Sequence, residues 1–252
     1  MLQNLKDASM LAGRRDIINQ LQKDILLLQG FRPHVAATGN MGLGPVEAAF
    51  PNGVFPTGAV HEFISNAAEQ TAASSGFLAG LLAPLMRQGG ACIWISASRT
   101  LFPPALKSFG VQPDQVVFID LEREKDVLWA MEEALKCEGL AAVVGEMKEI
   151  GFTASRRLQL AVEQSRVTGF LLRYQPRNLH AIASVARWSI KPLASKLEAG
   201  MPGVGFPRWE VALQKVRNGK PGVWEIEWTD KGFRQVPKEV PQRLEVERRK
   251  IG

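Results

Sequence analysis

The chain has 252 residues, 46% of them hydrophobic and 22% charged, and a net charge of +6 at pH 7. That length allows one substantial core, or one core with a small appendage, and the composition is that of an ordinary globular protein. No apolar run reaches the roughly 18–20 residues of a membrane span. The start, Met1-Leu2-Gln3-Asn4, has no basic region leading into an apolar stretch, so no secretory signal is expected and the cytoplasm is the expected compartment. The two cysteines, Cys92 and Cys137, are not in C-x-x-C spacing and each sits in an apolar-rich segment, which reads as two buried, reduced thiols. Charge is uneven: Arg173 to Gly252 carries 16 basic and 8 acidic residues, leaving 15 basic and 17 acidic before it. A basic C-terminal third points to nucleic acid or an acidic protein surface as partner, or to a solubilising surface with a basic tail.

Residues 3–29 read as a helix, because Leu11, Ile18, Leu21, Ile25 and Leu28 fall on one face. The Gly- and Pro-rich segment 32–58 reads as a connector. From Ala59 the chain alternates short apolar strands with helices. Strands are expected at Ala59–Ser65, Ala91–Ser96, Gln115–Leu121, Leu140–Gly145 and Gly169–Tyr174. Helices are expected at Gln70–Arg87, Pro104–Phe109, Lys125–Cys137 and Ala154–Arg166. In the first long helix, Leu78, Leu81, Leu82 and Leu85 share one side. Apolar strands without alternation, separated by helices, indicate a parallel sheet covered on both faces, and right-handed crossovers make it doubly wound.

After Pro176 the pattern changes. Ile182–Ile190, Trp209–Val216 and Gly222–Thr229 read as strands without intervening helices, the last two as an antiparallel hairpin around Arg217-Asn218-Gly219-Lys220-Pro221. The chain thus divides into an N-terminal helix (1–31), a connector (32–58), an α/β core (59–236) and a basic charged tail (237–252). In the tail Arg243, Arg248, Arg249 and Lys250 stand beside Leu244, Val246 and Ile251, which suits either a solvated tail or a segment that orders on a partner.

A parallel sheet whose first strand leads through a loop into a helix is the setting for a phosphate-binding loop. That chemistry needs glycines for close backbone approach, a Lys for the β/γ-phosphates and Ser/Thr for Mg²⁺. Here the corresponding residues are Ser65-Asn66-Ala67-Ala68-Glu69-Gln70-Thr71-Ala72, with neither glycine nor lysine, and Glu69 is the one charged residue between Phe63 and Met86. A carboxylate beside a triphosphate repels it by something like 1–4 kcal/mol at surface dielectrics. A Walker B strand should end in an Asp for Mg²⁺, but Ala141-Ala142-Val143-Val144 runs into Gly145, with Glu146 one place late and expected on the opposite face. His61-Glu62 lacks the second histidine of a zinc motif, since position 65 is Ser65, and neither His34 nor His180 has a Cys/His cluster nearby. No metal, cofactor or enzymatic activity is expected.

Phe55-Pro56-Thr57-Gly58-Ala59-Val60-His61-Glu62-Phe63 resembles the entry to the RecA core. Ala183-Ser184-Val185-Ala186-Arg187-Trp188 and Lys215-Val216-Arg217-Asn218-Gly219-Lys220-Pro221-Gly222 resemble its last antiparallel strands. The resemblance puts the RecA catalytic Glu near Ser98 and the Walker lysine near Thr71. Five segments are similar to the ImuA family: 128–135, 141–146, Thr153-Ala154-Ser155-Arg156-Arg157-Leu158-Gln159-Leu160-Ala161, 168–173, and 207–210 through 222–228; similarity to SulA, a division inhibitor, spans only about 70–174.

Membership of the ImuA family implies a RecA-like fold and a non-catalytic role in SOS-induced, error-prone translesion synthesis. The implied partners are RecA, ImuB and an error-prone DnaE-type polymerase; the alternatives are a SulA-like division inhibitor or a weak nucleotide-binding ATPase. RecA-type proteins dock the helix before the core on a neighbour, so Leu11, Ile18, Leu21 and Ile25 are candidates for partner binding, as are Arg243, Arg248, Arg249 and Lys250. The two loops RecA uses for single-stranded DNA correspond to Met147–Phe152 and Gln175–Ala181. They offer Lys148, Arg177 and His180 but one aromatic residue, Phe152, so direct DNA binding is expected to be weak or absent.

Overall fold

The computed structural model describes residues 41–87, 89–99, 101–196 and 203–237, all in the second of the chain's two units, residues 40–252. The helix expected over 3–29, with Leu11, Ile18, Leu21 and Ile25, lies outside the described residues. So does the tail after Pro237 with Arg243, Arg248, Arg249 and Lys250.

The described strands form one sheet: β1 (Val60–Ser65), β2 (Ala91–Ser96), β3 (Val116–Asp120), β4 (Leu140–Met147), β5 (Thr168–Tyr174), β6 (Ala186–Leu193), β7 (Arg208–Val216), β8 (Gly222–Thr229) and β9 (Gly232–Gln235). Their order is β3-β2-β4-β5-β1-β6-β7-β8-β9. The pairs from β3 across to β6 are parallel, and β6 to β9 pair antiparallel. Helix α1 (Ala68–Met86) covers one face, while α2 (Glu124–Leu135) and α3 (Phe152–Ser165) cover the other. This is the expected doubly wound, mostly parallel α/β sheet. All six residues of β1 are buried, as a strand covered on both faces requires.

The strands send alternate residues to the two faces. Phe63, Val144 and Phe170 join the α1 side, and Val60, Val143 and Leu171 the α2/α3 side. The α1 side is aromatic. Trp188, fully buried, has Phe50, Phe55, Phe63 and Phe77 within 5.7–6.4 Å, centroid to centroid. His61 stacks on Phe55 at 4.4 Å, donates from Nε2 to the Pro56 carbonyl at 2.7 Å and accepts the Trp188 indole N–H at Nδ1. Burial pushes its pKa down to about 4 against the opposing pull of the Pro56 carbonyl.

Several expectations need correction. The Leu78–Leu85 stripe suggested a one-sided helix, yet α1 is buried nearly all round, because Trp228 and Phe233 close over it from the C-terminal strands. Gly80 permits this: a Cβ there would lie 2.6 Å from Phe233 and 2.8 Å from Trp228. Where described, residues 41–58 of the expected 32–58 connector are packed. Two 3₁₀ turns, Gly44–Ala49 and Pro51–Gly53, bury Leu43, Val46, Ala49 and Phe50, and the Lys220 N–H bonds the Ala49 carbonyl at 2.8 Å. Strand β4 continues two residues past Gly145, and β6 begins at Ala186 rather than Ile182 and runs on through Pro192 to Leu193. Strand β9 had no sequence signal beyond the aromatic Phe233. Cys92 is buried, its thiol pushed up to about 12 by desolvation, but Cys137 is exposed.

Candidate functional site

The junction between β1 and α1 is where a phosphate loop would lie, and it is only two residues long: Asn66 and Ala67 link Ser65 to Ala68. No residue from 65 to 72 has positive φ, so the backbone does not form the concave run of N–H groups that cradles an anion. Local side chains satisfy local groups instead. Gln70 Oε1 accepts the Asn66 N–H at 2.9 Å, Thr71 donates to the Ala67 carbonyl at 3.2 Å, Ser75 to the Thr71 carbonyl at 3.0 Å, and Ser65 bonds Ser74 at 3.0 Å. Glu69, exposed in the first turn, places its carboxylate at the positive end of the helix.

Beside this junction a cavity of about 760 Å³ opens between α1 and the 3₁₀ turn Pro103–Phe109. Its walls include Ala72 and Gly76 of α1, Phe102, Phe109, Tyr174 and Trp209, and among the described residues Glu69 is its sole charged lining residue. Tyr174 donates to Glu124 at 3.1 Å. Burial first, then that bond, pushes its phenol up to about 12.

Ser98 lines the same cavity and Gly145 does not. A Cβ at Gly145 would meet Met131 Sδ of α2 at 2.6 Å, so the position faces the opposite side of the sheet. Glu146 faces the α1 side: buried in β4, it accepts hydrogen bonds from Trp94 Nε1 and Ser96 Oγ, each at 2.7 Å, and from Ser98 Oγ at 3.0 Å. The expected facing is thus reversed: Gly145 points away from the β1–α1 junction, and Glu146, one place later, is the residue on its side of the sheet.

A second buried carboxylate, Glu62 of β1, sits on the α2/α3 side. Arg173 Nη1 and Arg187 Nε donate to its two oxygens at 2.7 Å each, and neither Glu62 nor Arg173 exposes more than 1% of its side chain. The rest of the Arg173 guanidinium fastens the loops after β4 and β5, through the Lys148 carbonyl at 3.1 Å, the Asn178 carbonyl at 3.0 Å and Glu149 at 3.2 Å. Glu149 also takes the Arg177 N–H at 2.5 Å, the main cause holding its carboxyl below the usual range. These loops are where DNA contacts were sought. Of the polar candidates there, Lys148 lies over the Tyr174 ring at 5.4 Å, and Arg177 and His180 are exposed.

The structure brings Ala68, Glu69, Thr71 and Ala72 of the 65–72 segment together with Ser98 around one cavity, and leaves Ser65, Asn66, Ala67 and Gln70 outside its lining. The pairing of Glu62 with Arg173, the donors around Glu146 and the aromatic walls escaped the sequence reading. Glu62 and Arg173 had a usable signal, charged residues in otherwise apolar strands; Phe102, Phe109 and Trp209 had none that distinguishes wall from core. Among the described residues no group of three or more His, Cys, Asp or Glu could hold a metal ion, and no helix is long and apolar enough to cross a membrane.

The fold places the chain among RecA-like α/β proteins. The crystal structure of the RadB recombinase superposes with a TM-score of 0.55 at 11% identity, covering 79% of this chain and all of that one. Protein ImuA of Caulobacter vibrioides, in strains NA1000 / CB15N and ATCC 19089 alike, is 33% identical over 205 residues, 77% of this chain and 84% of its own length. The chain belongs to the ImuA family. No family model matches it.

Proposed function

We propose that this protein is a non-catalytic accessory of damage-induced, error-prone translesion DNA synthesis, acting in the cytoplasm through protein contacts with RecA, ImuB and a DnaE-type polymerase. Kinship to ImuA supports the pathway. The observation that carries the non-catalytic reading is the β1–α1 junction, two residues long, without glycine, lysine or a positive-φ backbone, and followed by Glu69. An ATP triphosphate would meet a carboxylate where P-loop proteins supply a cation. The buried acid of β4, Glu146, is already engaged by an indole and two hydroxyls.

Calorimetric titration with ATP–Mg²⁺ should give binding no tighter than millimolar, about −4 kcal/mol. Capture experiments should retain RecA and ImuB but not the division protein FtsZ. Micromolar ATP affinity, or hydrolysis that follows the purified protein, overturns the non-catalytic reading, and FtsZ capture without ImuB overturns the pathway. Single-stranded DNA should bind weakly at most and be released by ~0.2 M salt.

A further inference from the structure

We propose that the cavity beside α1 is a recognition site for a short peptide segment of a partner protein, one that combines bulky apolar side chains with a Lys or Arg. The proposal rests on the reading of this chain as a protein-binding accessory and names the chemistry its partner must present.

Three observations support it. The volume, about 760 Å³, falls within the roughly 300–1,000 Å³ of functional ligand pockets. Its walls of Phe102, Phe109 and Trp209 suit apolar groups, and Phe102 is 68% exposed, so one wall continues onto the outer surface. A small ligand would leave that ring in water, whereas a peptide running out of the cavity would cover it.

Hydrogen-bond chemistry supplies the second observation. The lining hydroxyls spend their protons inside the protein: Thr71 on Ala67, Ser75 on Thr71, Ser98 on Glu146 and Tyr174 on Glu124. These hydroxyls therefore present oxygens that accept; the Gln175 amide can do either, and the one charge in the described lining is the Glu69 carboxylate, so the charged part of the matching ligand is cationic.

Third, the end of β6 and the residue before β7 reach the cavity as Pro192 and Pro207, which have no N–H to extend the sheet by strand addition. Recognition there falls to side chains. Gly76 lets the two aromatic walls approach α1 closely, since a Cβ would sit 3.1 Å from Phe109 and 3.4 Å from Trp209.

The test is selection of a random 12-residue peptide library displayed on phage against the full chain, followed by titration of the enriched sequence as a synthetic peptide. Aromatic or large aliphatic residues with Arg or Lys should be enriched. Ala72→Trp, at an exposed helix position that lines the cavity, should weaken the peptide at least tenfold with the melting temperature unchanged. Glu69→Lys should weaken it by a similar factor and favour a peptide with Glu in place of the cation. No enrichment, an acidic consensus, or indifference to both variants overturns the proposal. So does tenfold tighter peptide binding after removal of residues 238–252, which makes this chain's own tail the occupant, or a dimer that Ala72→Trp dissolves. Loss of the peptide site without ATP binding leaves the accessory reading standing; micromolar ATP binding does not.

Discussion

The two faces of the sheet solve the same electrostatic problem differently. On the α2/α3 side the buried Glu62 meets two guanidinium groups, and one of these, Arg173, goes on to hold the loops after β4 and β5. On the α1 side the buried Glu146 takes hydrogen bonds from an indole and two hydroxyls. An ion pair sealed from water is costly to break, because the survivor is left as an uncompensated charge. A hydroxyl donor such as Ser98 can rotate to suit whatever replaces the acid, and Ser96, whose oxygen two backbone N–H groups hold, can still redirect its proton. The first face is therefore framework and the second is adaptable, and the cavity lies on the second.

The sharpest way to break this comparison is Glu62→Gln, which leaves Arg173 and Arg187 facing an amide. Loss of about 3–5 kcal/mol is expected in urea unfolding, enough to unfold a marginal domain. A cost under 1 kcal/mol would mean that water reaches the cluster and that the face is not framework.

The α1 face should carry its own pH dependence. His61 has an ordinary pKa of 6.5, and burial lowers it to about 4 in the folded chain. The unfolded chain binds this proton more readily, so stability from neutral His61 is fully present above pH 6.5 and is lost as pH falls toward 4. At roughly 1.4 kcal/mol per pKa unit, the loss amounts to about 3 kcal/mol. Urea midpoints measured between pH 7 and 4 should fall more steeply in the natural chain than in His61→Asn, which cannot titrate. Equal slopes would show that carboxylates alone set the acid limb.

Gly80→Ala tests how tightly that face closes. Helix propensity alone favours Ala by about 1 kcal/mol, yet the new methyl would lie 2.6 Å from Phe233 and 2.8 Å from Trp228. Overpacking should win, with net destabilisation of about 1–3 kcal/mol. A stabilised variant would show that β9 yields.

What the sequence revealed follows from where periodicity decides. The parallel half was legible because β2 and β4 are largely apolar runs between helical segments, and the β7–β8 hairpin because Asn218-Gly219 marks its turn. The end of β4 was missed because Glu146 interrupts the apolar run, although its neighbours Trp94 and Ser96 supply the donors that let it stay buried. The packing of residues 41–58 was not legible, because Gly and Pro signal turns without saying whether the side chains between them, such as Val46 and Phe50, are buried. The 65–72 segment could be located by chemistry alone. The cavity beside it could not, because Phe102, Phe109 and Trp209 come from distant parts of the chain.

The smallest effect completes the comparison. In Glu146→Gln the side chain keeps its shape and one carbonyl oxygen, so Trp94 retains an acceptor at its 2.7 Å position. The new amide NH₂ turns toward Ser98, whose hydroxyl can accept; Ser96 Oγ already accepts the Ser98 and Arg99 N–H groups, so its own proton turns to Ser98 Oγ at 3.1 Å. Each exchange replaces a hydrogen bond to a charged acceptor with a neutral one, and the cost should be about 1 kcal/mol, well below that of Glu62→Gln. Because Ser98 lines the cavity, a rotated hydroxyl would also change the polarity of that wall while the aromatic walls stay in place. Parallel urea unfolding of the two Gln variants decides the matter. Comparable losses would mean that Glu146 is anchored as firmly as Glu62, and that the α1 face is framework too.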